Sequence, residues 1–238
     1  GGWWGGDVHL DALEFRPIPD ASTRADLLFS GNVEGLHTTD PATVGDLRDE
    51  DSAQNIVDET GQEQFVQLNT SSPPFDDVRA RRALALATPL RDYRDLIGLG
   101  IARDADQMFV PGSDFYNPDV VQQGDDPAAA AALSAQYCAD VPDGCSDGRI
   151  DVEFQFPAAG VVGARQADIL DQGWSAAFNV NFDELAQDQH IVQTVLGQYQ
   201  ATLWRGFGSL EPATNRQTLM CRTIGEGISL NGTRFCSE

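Results

Sequence analysis

The hydrophobic pattern is sharpest over residues 150–156, where Ile150, Val152, Phe154 and Phe156 alternate with Asp151, Glu153 and Gln155. A period of two predicts a β-strand with one buried face. Val162, Ile169, Leu170, Trp174 and Phe178 then fall close to one helical stripe and predict a helix over 161–178. A strand at 179–182, a helix at 184–196 and a strand at 199–204 complete a β-α-β-α-β run. So tight a succession implies parallel strands joined by right-handed crossovers. The fold class is α/β.

Upstream the signals are shorter. Leu13-Glu-Phe-Arg-Pro-Ile alternates and predicts a strand, which Pro17 and Pro19 end or confine to an edge. Asp20 caps a helix over 21–30 that stops at Gly31. A strand at 33–38 and a second helix opening on Asp40-Pro41 follow. Residues 64–70 (QFVQLNT) alternate again. Asp76 or Asp77 caps the next helix, which Pro89 ends or kinks. Residues 98–126 form a long loop rich in Gly, Pro and Asp, and 128–139 an alanine-rich helix.

The stretch over 198–212, QYQATLWRGFGSLEP, is the candidate ligand region. Tyr199, Ala201 and Leu203 alternate against Gln200, Thr202 and Trp204 before the chain breaks at Arg205-Gly206-Phe207-Gly208. A strand ending in glycines, with Trp204 and Phe207 beside it, offers a ligand backbone groups and an apolar wall. An ordinary core strand followed by a surface turn has the same signature.

Charge narrows the partners. The formal net charge is −22, and all 15 basic residues are arginine. That excludes the basic patch a nucleic acid requires and argues against docking on anionic lipid. No apolar run approaches the ~20 residues that span a bilayer. The opening Gly-Gly-Trp-Trp carries no leader signal, and both ends read as cut from a longer chain. Cys138/Cys145 and Cys221/Cys236 form two close pairs, which read as two small disulfides in an oxidising compartment or as four separate buried thiols. Asn69-Thr-Ser and Asn231-Gly-Thr match the glycosylation sequon, a short pattern that chance produces often.

Catalytic signatures are missing. There is no G-x-S-x-G elbow, no GxGxxG, and without lysine neither a phosphate-loop lysine nor a Schiff base. His9, His37 and His190 are never spaced for a metal, and His190 reads as facing solvent or a partial core. Carboxylates are too abundant for any pair to be nominated as acid and base. The expectation is a binding protein without cofactor or metal, rather than an enzyme.

Several segments resemble the family 5 extracellular solute-binding proteins, the dipeptide/oligopeptide/nickel-type receptors of ABC importers. They are Leu10-Asp-Ala-Leu-Glu-Phe-Arg-Pro-Ile-Pro-Asp20 with Leu28-Phe-Ser-Gly-Asn-Val-Glu34, the segment from Leu68 through Ser-Pro-Pro-Phe to Leu84, and Tyr199-Gln-Ala-Thr-Leu-Trp-Arg ending at Glu211-Pro212. The resemblance implies a periplasmic-binding-protein-like (type II) lobe with a mixed, mainly parallel sheet flanked by helices. It divides the chain into an incoming connection (1–12), a second lobe (13–200) and a hinge crossing that starts the return to the first lobe (201–238). It implies an extracytoplasmic protein that takes a small-molecule or peptide-like ligand and delivers it to permease and ATPase subunits. A ligand sensor on the same fold and, behind it, a secreted hydrolase are the alternatives.

By similarity, His37, Thr38 and Thr39 line the cleft, Phe65 and Gln67 contact ligand, and the backbone at Leu203, Trp204 and Arg205 pairs with an extended peptide. Peptide-binding relatives place an aspartate three residues after the tryptophan to hold the α-ammonium. Here that position is Phe207, and the upstream arginine of some relatives is Ala201. A buried ammonium without a carboxylate is costly, which argues against simple free peptides.

Overall fold

The computed structural model describes residues 4–7, 9–57, 63–206, 212–221, 224 and 227–236. Helices α1 (Ala21–Phe29) and α2 (Pro41–Arg48) lead into strand β1 (Gln64–Leu68), then α3 (Val78–Ala87), α4 (Leu90–Leu96) and α5 (Pro127–Asp140). A two-residue strand β2 (Cys145–Ser146) precedes the run β3 (Arg149–Pro157), α6 (Gly160–Trp174), β4 (Phe178–Leu185), α7 (Gln187–Leu196) and β5 (Ala201–Arg205). A short helix α8 (Arg216–Leu219) follows. The caps fall where short acidic side chains predict them: Asp20, Asp40 and Asp77 each accept from a backbone N–H of the first turn.

The sheet is mixed. β3 runs parallel to β4 from Ile150 to Pro157 and parallel to β5 at Phe154↔Ala201 and Gln155↔Thr202. β5 then pairs antiparallel with β1, and β2 with the start of β3. The segment predicted to leave the lobe at 201 thus begins as a strand of the same sheet.

Alternation along β3 sets the two faces. Ile150, Val152, Phe154 and Phe156 are buried against α3, α5 and α6. Trp174 is fully buried there, edge-on to Phe154 with ring centroids 5.1 Å apart, and its indole N–H donates to Thr88 Oγ1 at 3.0 Å. A Cβ at Gly173 would lie 2.5 Å from the Pro89 ring, so α6 approaches the α3–α4 corner only because that residue has no side chain. On the opposite face α7 sets His190 against Thr202 and Gln193 against Gln155, a polar seam in which His190, Gln155 and Thr202 are buried.

Both cysteine pairs are disulfides, Cys138–Cys145 and Cys221–Cys236. The second closes a C-terminal segment that packs back on the sheet: Thr70 N–H donates to Thr233 O, Ser229 N–H to Val195 O, and Tyr199 hydroxyl to Gly232 O. Asn69 and Asn231 are 3% and 1% exposed. Asn69 amide donates to Gly197 O and Tyr199 O, and Asn231 amide to Phe235 O. Both sequon asparagines are interior struts.

Three expectations are corrected. Residues 13–18 and 33–38 form no strand, and Leu13 and Phe15 are 67% and 82% exposed. Alternation describes a strand only when another backbone lies alongside, and none among the described residues does. The helix predicted over 161–178 ends at Trp174, because Phe178 pairs with Ile150 as the first residue of β4.

Candidate functional site

The site is built at the carboxyl end of β5. β3 lies between β4 and β5, so α6 and α7 cross to opposite faces and the crevice beyond β3 is the sheet's switch point. Hydrogen-bond parity shows what is available there. Ile150 N–H and Ala158 N–H bond toward β4, so the odd residues of β3 bond toward β5. On β5, Gly206 N–H bonds toward β1, so Leu203 and Arg205 direct their backbone groups the other way. In this register the next donor to Leu203 O would be residue 157, which is proline and has no N–H. The β3–β5 ladder stops there, and among the described residues the β3-facing edge of β5 has no strand partner beyond Thr202, while its other edge stays paired with β1 as far as Arg205.

Opposed residues of an antiparallel pair share a face. Phe65 faces Trp204 on the α7 side, and Gln64 faces Arg205 on the α6 side. Trp204 is half-buried, with the His190 ring behind it at a centroid distance of 5.5 Å. His190 is 2% exposed rather than solvent-facing. Its Nε2 lies 2.8 Å from Thr202 Oγ1, and that hydroxyl donates its one proton to Gln155 O at 3.1 Å. Nε2 therefore carries the ring hydrogen, and Nδ1 is a buried acceptor with no partner. Burial holds the imidazole below its ordinary pKa of 6.5, in the neutral form.

Arg205 is exposed and donates from Nη1 to Thr39 Oγ1 at 3.3 Å, bringing the segment of His37, Thr38 and Thr39 to the strand end. His37 is exposed, while Thr38 Oγ1 accepts from Asp40 N–H at 3.1 Å. Beneath Arg205, Tyr93 hydroxyl donates to Gln64 Oε1 at 2.6 Å and Gln166 amide to the same oxygen at 3.2 Å. Burial pushes the Tyr93 phenol up, partly offset by the Arg205 charge. Sequence reasoning missed this cluster, which only the β1–β5 register assembles.

The remaining predicted residues are placed differently. Leu203 is 5% exposed and packs into the core, so only its backbone faces the open edge. Gln67 is 8% exposed and donates its amide to Tyr199 hydroxyl at 2.9 Å. Phe207 lies outside the described residues. Among the described residues no group of three or more His, Cys, Asp or Glu is arranged to hold a metal.

The family model described as bacterial extracellular solute-binding proteins, family 5 Middle, matches residues 1–223. The chain belongs to that family. Among its relatives, the probable di/tripeptide-binding protein 5 of Pseudomonas aeruginosa is 30% identical over 133 residues, 56% of this chain and 25% of that protein. Heme-binding protein A of Haemophilus influenzae is 26% identical over 134 residues, 56% of this chain and 24% of its own. The ABC transporter-associated periplasmic binding protein DppA from Helicobacter pylori, solved in complex with peptide STSA, shares the fold. Its TM-score is 0.79 at 21% identity, over 99% of this chain and 45% of that one. The chain spans less than half the length of each.

Proposed function

We propose that this chain is the ligand-contacting lobe of the substrate-binding component of an ABC-type importer. Outside the cytoplasm it captures a small organic solute against the first lobe and delivers it to the permease, which works with ATPase subunits. Residues 1–12 and 201–238, the latter beginning as β5, are then the connections to that first lobe. The observation that carries the reading is the β3-facing edge at the end of β5, which has no strand partner among the described residues, with Phe65 and Trp204 on one face and Arg205 with Thr39 on the other. A ligand with an extended backbone adds to such an edge, and the rings and the guanidinium sort its substituents. The role is binding without turnover, and the two disulfides suit an oxidising compartment.

Family membership leaves the ligand open, since the named relatives bind peptides in one case and heme in another. The test is calorimetric titration of the full-length protein with peptide, sugar, polyamine and heme libraries. One class should bind, and Trp204→Ala or Arg205→Ala should weaken it by about tenfold or more, about 1.4 kcal/mol. Unchanged affinity in both variants would move the site elsewhere.

A further inference from the structure

Glu63 immediately precedes β1, and its backbone carbonyl accepts from Gly206 N–H at 2.9 Å, the last bond of the β1–β5 ladder. By the same parity, Glu63 stands on the face of Phe65 and Trp204. Gly206 leaves room there: a Cβ on it would lie 3.2 Å from Phe65 Cε1. The Glu63 carboxylate is partly buried, its Oε1 is fully buried, and that oxygen has no hydrogen-bond partner. No guanidinium pairs with it among the described residues, and Arg205 faces the other side of the ladder.

A carboxylate in this setting lowers the stability of the unliganded protein, because it loses water without gaining a donor. Burial alone displaces its pKa, upward. Its surroundings supply the rest of a cation site: two aromatic rings share its face, and ring faces attract cations. The missing element is the cation.

We propose that Glu63 holds a protonated amine of the ligand, with the adjoining carbons against Phe65 and Trp204. This rests on the reading of the β5 end as the binding site and adds the chemical class it selects. The ammonium donates to Oε1 and to the partly exposed second oxygen, replacing water on both. Glu63 is then a specificity-determining residue, and uncharged or acylated analogues lack the group it pairs with.

Full-length wild-type protein and the Glu63→Gln variant are titrated with Ala-Phe, N-acetyl-Ala-Phe and spermidine, and melted without ligand. Wild type should bind at least one free-amine probe tenfold or more tighter than the acetylated peptide. Glu63→Gln should lose that preference while melting at the same or a higher temperature at neutral pH. A variant that keeps the preference overturns the proposal, as does one that melts lower, which would make Glu63 structural. Wild type that binds the acetylated peptide as well as the free amines, or binds none of the three, also overturns it. The underlying site reading fails separately, if Trp204→Ala leaves the affinity of every bound ligand unchanged.

Discussion

Trp174 and His190 are both buried rings carrying one N–H, and their second functions differ. The Trp174 N–H is satisfied by Thr88 and the ring fills the core. His190 satisfies Nε2 and leaves Nδ1 buried without a partner, while the ring packs against Trp204. Its depressed pKa makes stability depend on pH. The unfolded chain takes a proton near 6.5 and the folded one resists it, so this contribution is present above pH 6.5 and is lost as pH falls. Melting temperature should therefore fall between pH 7 and pH 5, and His190→Gln should flatten that slope. Parallel curves for the two proteins would show that the ring titrates freely. Glu63 has the opposite sign: its raised pKa contributes stability in acid that fades as pH rises through the folded value.

At the level of elements, β3, α6, β4 and α7 were legible because each carries its own period and its neighbours follow in sequence. Residues 13–18 carry the same alternation as β3 and form nothing, since pairing is a property of two segments and the pattern belongs to one. The candidate site was half legible for the same reason. Trp204 and Arg205 stand out by composition, but that Phe65 shares a face with one and Gln64 with the other follows only from register. Glu63 lies before the first strand residue, in an acidic stretch where no carboxylate is distinguishable by sequence. The stop at Pro157 is an element-level switch that substitution can probe. Pro157→Ala supplies the missing N–H to Leu203 O and lets β3 zip one rung further onto β5. The variant should melt higher and bind ligand more weakly, by about tenfold if that carbonyl is a ligand contact. Unchanged affinity would remove Leu203 O from the contact set.

At the scale of the whole molecule the strongest electrostatic influence is the net charge of −22, which acts at every distance within the screening length. That length is ~10 Å at 0.1 M salt and ~3 Å at 1 M. Few of the carboxylates have a cationic partner: six ion pairs are found among the described residues, and all six use arginine. Added sodium chloride should raise the melting temperature, by about 2–4 °C for each kcal/mol of repulsion relieved. A flat response between 0.1 and 1 M would mean that the carboxylates are already too far apart to repel.

The buried asparagines carry a consequence for where this chain can be made. Asn69 and Asn231 sit in sequons, yet their amides hold the C-terminal segment and the start of β5 from inside the protein. A secretory pathway that attaches glycans to the nascent chain would reach them before folding hides them. Each glycan would occupy the space of a strut, and a host that glycosylates would return misfolded protein from an unaltered sequence.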